Sequence, residues 1–354
     1  MRNRIPLIAA AAAAAVFGAC LPASAHEKWF CTHERIAELT AQARPDVFTT
    51  INPTLSAVFA LSGAAVVALL FLDLRLRRRR AGERLCRWLL GLRHAVAPAL
   101  GITTGVVLVW AALHGEFFAH DLSLSSVEPA WLVTALRGAQ LLLGASLILG
   151  LATRWAALAL LVAFLPSVAL FGFRSWVDYV DVVGVCLFLM IAGRGAFSLD
   201  RAFGLRAEPL PGLDRWAHPI LRVFVGIDLL VLGVNDKFFN PNIAIAVTGD
   251  HGLNFLAGAG VSDGVFVLLA AAVETSVGAL IALGILARPV AAVLLGLLTL
   301  TLFVFGPLEL VGHLPIFAAA LAILATGTGG KLALPGVFLE EDPARVDAAP
   351  ALAA

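Results

Sequence analysis

Charge is scarce in this 354-residue chain. Asp, Glu, Lys and Arg supply only 14% of it, against 60% hydrophobic residues, and the mean hydropathy is +0.93. An ordinary soluble domain has no way to hide that much apolar surface, so the composition points to a polytopic membrane protein. No basic face exists outside one short Arg run, which excludes nucleic acid as a partner. Also missing are a nucleophile elbow, a Walker loop, a dinucleotide fingerprint and a zinc-type cysteine set. No His pair shares a helix at a haem-like spacing. A redox role therefore needs a quinone, a metal or a partner subunit. Cysteine is rare too. Beyond Cys20 in the leader there are Cys31, Cys86 and Cys186, which fall in three different compartments of the expected topology, so no structural disulfide is expected.

What is present begins with a leader. Arg2 and Arg4 precede an apolar stretch from Pro6 to Gly18, and Ala23-Ser24-Ala25 is a small-residue cleavage site. The expectation is a signal peptide over 1–25 and a mature chain starting at His26. A lipoprotein signal ending at Cys20 is the alternative.

Nine apolar spans follow, at about 55–72, 95–113, 130–151, 155–173, 176–192, 219–238, 265–286, 289–305 and 310–325. Within a bilayer these must be helices, because a helix satisfies its own backbone. The first span ends in Arg75, Arg77, Arg78, Arg79 and Arg80. Alternation then puts nearly all other Lys and Arg on the same side. Only Lys28, Arg35, Arg44, Arg174 and Lys237 fall opposite, with Arg137 inside a span. The positive-inside rule makes the Arg side cytoplasmic. The expected product is an all-α bundle in a bacterial inner membrane, surrounded by the lipid bilayer, with a periplasmic mature N-terminus and a cytoplasmic C-terminus.

Two stretches look like copies of one four-helix unit. Gly144, Gly150 and Arg154 fall on Gly278, Gly284 and Arg288 at one constant offset, and Gln140 falls on Glu274. At a slightly different offset Gly105, Phe117 and Phe118 fall on Gly226, Phe238 and Phe239. The expected organisation is a periplasmic segment 26–54, a first helix and basic loop 55–94, repeats at 95–196 and 219–327, a linker 197–218 and a tail 328–354.

Polar residues collect on the side opposite the Arg run. His26, His33, His114, His120, His251 and His313 all lie there, with Glu116, Asp121, Asp178, Tyr179, Asp181, Asn235, Asp236, Lys237, Asp250 and Glu309. If the two units pack side by side, these groups converge on one rim. Imidazoles in such a rim favour copper, zinc or iron, and a mature N-terminal His26 with His33 offers a copper chelate. His114 and His120 are the other metal candidates. Inside the spans lie Asp228, Glu274, Arg137 and Gln140. Polar residues at that depth are costly and mark function or an internal tie. Pairing Arg137 with Glu274 or Asp228 would relieve the cost.

One resemblance covers about a third of the chain. Arg222, Gly226, Gly233 and Lys237 lead into Phe238-Phe239-Asn240-Pro241. Then come Glu274, Gly278, Gly284 and Arg288, and last Gly312-His313-Leu314-Pro315. In order and spacing this resembles the DoxX-like family of bacterial membrane proteins. The resemblance implies a four-helix membrane unit and a quinone-coupled redox role, since the family takes its name from a subunit of a thiosulfate:quinone oxidoreductase. On that reading Glu274, Asp228, Lys237 and His313 line the site, and Arg137, Gln140 and Glu309 contact a quinone. A metal-handling protein and a non-catalytic assembly partner are the alternatives.

Overall fold

The computed structural model describes residues 27–49, 51–78, 83–173, 177–195 and 197–337. The side chains of Trp29, Leu308 and Glu309 lie outside that description. So do the expected signal peptide, His26, Arg174, Trp176 and the end of the tail.

The chain is a helical bundle. A turn at Glu27–Phe30 leads to α1 (His33–Ala41), α2 (Pro53–Arg78), α3 (Glu83–Leu90) and α4 (Val96–His114). A short hairpin pairs β1 (Glu116–Phe117) with β2 (Ala119–Ser123). Then come α5 (Ala130–Leu149), α6 (Thr153–Phe171) and α7 (Val180–Ala192). The second half holds α8 (Asp214–Val231), α9 (Pro241–Asp250), α10 (Asp263–Leu283), α11 (Ala287–Phe305) and α12 (Pro307–Thr326). Among the described residues, seven helical segments are long and apolar enough to cross a membrane, and they fall on seven of the nine expected spans; Val180–Ala192 is apolar but shorter, and the described part of α12 beyond Glu309, Leu310–Thr326, is apolar as well. Expected span 176–192 is cut short because the chain turns at Asp178 and Tyr179, whose side chains join a polar cluster. The expected basic loop is largely helical, since α2 runs on to Arg78 and α3 occupies Glu83–Leu90.

Two helix pairs pack backbone to backbone. α8 lies on α10 and α4 lies on α5. A Cβ on Gly226 would stand 2.3 Å from the Ala282 nitrogen, and one on Gly278 would stand 2.5 Å from the Leu230 nitrogen. In the first pair a Cβ on Gly105 would stand 2.6 Å from the Gly144 carbonyl oxygen, and one on Gly144 would stand 2.8 Å from that of Gly105. Small residues are what let membrane helices approach so closely, because lipid supplies no hydrophobic drive between them. α5 and α10 both stop at a left-handed glycine, Gly150 (φ 65°) and Gly284 (φ 69°). The halves join where α7 packs on α8 and α12 packs on α4.

At the Arg-bearing end, guanidinium groups satisfy helix C-terminal carbonyls that would otherwise be stranded. Arg222 donates through Nη1 to Ile281 O and Ala282 O, both at 2.5 Å, and through Nη2 to Leu332 O at 2.6 Å. Arg194 does the same for α5, donating to Ile148 O at 3.1 Å, and also ties in the first turn of α4 through Ala97 O at 2.9 Å. Arg154 Nε reaches Met190 O at 2.9 Å, and Arg288 Nε reaches Leu324 O at 3.1 Å.

These contacts predict a graded glycine response. Gly278→Val should lower thermal unfolding stability in detergent, at the upper end of the ~1–3 kcal/mol typical of overpacking. Gly296→Ala, with nothing within 4 Å of the added carbon, should not. Equal melting of both variants would show that the α8–α10 contact does not set stability.

Candidate functional site

The polar residues collect at the opposite end of the bundle. After Val231 the eighth helix widens into a π-helical stretch, Leu232–Phe239. Gly233 permits it by lying against Ala271 O and Thr275. Such widened turns recur at functional sites because they re-aim neighbouring side chains. Here the stretch carries Asn235, Asp236 and Lys237, and the last two are buried.

Lys237 is the centre of one half of the site. Its Nζ lies 2.7 Å from Glu274 Oε2 and 2.9 Å from Glu27 Oε1. All three residues are buried, Lys237 at 2% exposure. Glu27 comes from the turn before α1, so the N-terminal segment is tied directly into the bundle. Burial raises Glu27 above the usual carboxylate range and Glu274 adds to that, while the Lys237 ammonium opposes it.

Lys28 is the centre of the other half. It pairs with Asp178 and, at 3.3 Å, with Asp236 Oδ1. Asn235 Nδ2 donates to both carboxylates at 2.9 Å and is itself braced through its carbonyl by Asn240. Tyr179 donates its hydroxyl to Asp121. Burial pushes Asp178 up to about 7, with the Asp236 charge adding and Lys28 opposing. Asp121 is raised for the same first reason, against Lys28 and Tyr179. Lys28 is raised, because its carboxylate neighbours outweigh its desolvation.

Two cavities adjoin this network. The inner one, about 30 Å3, is walled by Leu229, Val273, Leu294, Leu298 and Ile316, with Glu274 and His313 as its polar groups. The outer one, about 200 Å3, is lined by Glu27, Lys28, Asp121, Asp236 and Asn240 among others. The triad Glu27–Lys237–Glu274 thus reaches from one cavity to the other.

The expected site residues divide accordingly. Glu274 and His313 line the inner cavity, and Lys237 meets Glu274 from behind it. Asp228 is close by, but its Oδ1 accepts the Asp181 N–H at 3.2 Å and so caps the first turn of α7. Among the described residues its Oδ2 has no hydrogen-bond partner. Arg137 pairs with neither carboxylate. It donates instead to the α4 carbonyls of Ala112 at 2.7 Å and Leu113 at 3.3 Å, because the helix end is nearer than the site. Gln140 is also engaged elsewhere, accepting the Phe118 N–H at 2.7 Å and donating to Glu116 O at 2.9 Å. Glu309's side chain lies outside the described residues.

The metal candidates do not assemble. Among the described residues no group of three or more His, Cys, Asp or Glu could hold a metal ion. His114 stacks on Trp110 and meets Trp110 O at 2.8 Å. His33 and His120 are ring neighbours at 5.2 Å, but His33 Nε2 meets the His120 carbonyl and His120 Nδ1 meets Glu116 at 2.6 Å. That bond to Glu116 raises His120 above its ordinary range. His26 is outside the described residues.

A quinone fares little better. Glu274 and His313 match its carbonyls chemically, but a cavity of about 30 Å3 takes a water or two, since one water needs ~10–15 Å3. The space does not fit a quinone ring. Sequence reasoning placed Asp121, Asp178, Asn235 and Asp236 on the rim without a role. It gave Glu27 no role and used Lys28 only as a topology charge. The adjacent opposite charges Glu27-Lys28, facing a buried Lys and buried Asp residues, were the available signal.

Two consequences can be checked. Lys237→Met strands two buried carboxylates and should cost ~3–5 kcal/mol of stability, largely recovered by adding Glu27→Gln and Glu274→Gln. Failure of the triple variant to recover would remove charge balance as the cause. For Asp178, the folded protein keeps a proton that an unfolded carboxyl releases near pH ~4. Its stabilising share is therefore full below that pH and lost as pH rises to about 7. Infrared titration should show a carboxylic-acid band disappearing with a midpoint of about 7 and absent in Asp178→Asn. A band that persists in the variant would assign it elsewhere.

Comparison with known proteins agrees with the architecture. Residues 218–307 match the sequence model of the DoxX family. The chain thus carries a DoxX domain containing the α8–α10 pair, Lys237 and Glu274, and the match supports a DoxX-like membrane protein. No curated protein and no solved structure matches the chain.

Proposed function

We propose that this DoxX-domain protein is a proton-exchanging component of a redox-linked membrane assembly, with the Glu27–Lys237–Glu274 triad as its working part. The observation that carries the reading is the position of that triad, a buried lysine bridging two carboxylates that face different cavities. Two carboxylates and one ammonium leave an excess negative charge. Burial makes an excess charge expensive, and uptake of one proton removes it. The outer cavity gives the triad access to solvent protons. Glu274 presents the same charge balance to the inner cavity beside His313. The inner cavity is too small for a quinone, so a redox partner is the proposed source of electrons.

The finer architecture belongs to the same proposal. The glycine contacts Gly105–Gly144 and Gly226–Gly278, and the arginine contacts made by Arg154 and Arg288, support two copies of one four-helix unit. Counting Val180–Ala192 and Leu310–Thr326 as spans gives nine. The basic end then lies in the cytoplasm and the triad on the periplasmic side of a bacterial inner membrane.

Potentiometric titration of the purified, folded protein tests the reading. Glu27→Gln and Glu274→Gln each turn the triad into a balanced ion pair. Each should remove the same single proton from the titration curve, as expected of coupled sites. A curve unchanged by both substitutions would overturn the proposal. Solvent extraction adds a second arm. Stoichiometric quinone from native protein, lost in Glu274→Gln, would replace proton exchange with a quinone site.

A further inference from the structure

The basic end carries one helix that is neither a span nor part of the arginine capping. α2 exposes Phe59, Leu61, Val67 and Phe71 along its length, and lipid is what covers such a face in a membrane. That face runs into Arg75, Arg77 and Arg78 in the last turn. Arg77 is taken up by Asp73 at 3.0 Å, whereas Arg75 and Arg78 are exposed. α3 starts shortly afterwards, at Glu83, and packs on α12. Cys86, Leu89 and Leu90 form its inner face, with Leu89 buried and the other two half-buried. Its outer side carries Leu85 and Trp88 one turn apart, 60% and 66% exposed. Arg84 and Arg87 stand beside them, also exposed. Among the described residues neither arginine forms an ion pair or a side-chain hydrogen bond.

We propose that α3 lies in the surface of the bilayer and, with Arg75 and Arg78, binds anionic phospholipid headgroups. Leu85 and Trp88 enter the apolar edge of the leaflet, and Arg84 and Arg87 pair with the phosphates. Two observations select lipid as the occupant. The first is continuity: the exposed apolar side of α3 follows directly on the lipid-facing side of α2, so the bilayer reaches it without any further partner. The second is charge: Arg75, Arg78, Arg84 and Arg87 face outward against Glu83 alone. A short helix with aromatic and aliphatic residues on one side and arginines next to them is built for the interface. Trp is favoured at headgroup depth because its ring is apolar and its N–H is not. A guanidinium adds two-pronged pairing with phosphate oxygens, which a zwitterionic headgroup answers less well because its own ammonium competes. The inference does not rest on proton exchange by the triad.

Fluorescence quenching in vesicles tests it. The full-length protein is reconstituted in phosphatidylcholine containing either phosphatidylglycerol or phosphatidylcholine brominated high on the acyl chain, at one mole fraction. The chain has seven Trp, so the Trp88 signal is the difference between the native protein and Trp88→Phe. Brominated phosphatidylglycerol should quench it more strongly. Arg84→Gln and Arg87→Gln should each reduce that preference roughly fivefold, the equivalent of ~1 kcal/mol per charge. Both side chains are exposed, so folding should be unaffected; Arg75→Gln with Arg78→Gln gives a second route to the same loss. High salt should weaken the preference in the native protein. Equal quenching by the two lipids would overturn headgroup selection. Quenching by neither would place α3 away from the bilayer and overturn the whole proposal, as would a preference that all the arginine variants retain.

Discussion

Burying an ammonium is the constraint around which the acidic end is arranged. Lys237 sits at 2% exposure, where an isolated charge would cost many kcal/mol. It is tolerable only because Glu274 reaches it from α10 and Glu27 from the N-terminal turn. Three separate parts of the chain must therefore dock together or leave a bare charge. The same requirement fixes the π-helical stretch, since Lys237 and Asp236 are sequence neighbours that serve different partners. Lys28 follows Glu27 directly, so seating one residue on Lys237 brings the other to Asp178 and Asp236. The two halves of the site are thus mechanically one.

The other end answers a different problem with the opposite charge. Helices that approach through glycine leave little room for solvent at their ends, and their final carbonyls need donors. Arg194, Arg222, Arg154 and Arg288 supply them. Arg222 lies in the middle of α8, whereas Arg194 follows α7, yet they cap Ala282 and Ile148 at the ends of α10 and α5. A single physical need has been met from two chain positions. Those guanidinium groups are engaged by backbone, whereas the buried charges of the acidic end are engaged by one another.

Much of this was legible in the sequence for a simple reason. Apolar runs act locally, so the helix positions could be read from the residues themselves, whereas Gly150 and Gly284 were matched to each other without being read as the stops that end α5 and α10. The close-approach glycines were legible through their spacing. The site was less so, because its partners are set by packing over long separations. Arg137 looked like the counter-charge for Glu274, but a guanidinium takes the nearest good acceptors, and those were the carbonyls of α4. Gln140, which falls on Glu274 in the internal comparison, clamps the hairpin at Glu116 and Phe118. Glu27 has no periodicity or motif, and only the docked N-terminal turn reveals its partner.

The difference between Glu274 and Gln140, the positions that the sequence offset matches, follows from the same electrostatics. In the second half a carboxylate on α10 meets a lysine, and the pair demands a third charged group to complete it. In the first half the position matched by sequence offset holds Gln140, a neutral side chain whose donor and acceptor are both satisfied by backbone. A neutral amide can be buried without a counter-ion and without a proton to exchange. The first half therefore needs no strap from the N-terminus and contributes instead the turn that carries Asp178 and Tyr179. Charge is concentrated where the DoxX domain, the N-terminal turn and that loop meet, and each ion pair there joins parts of the chain far apart in sequence.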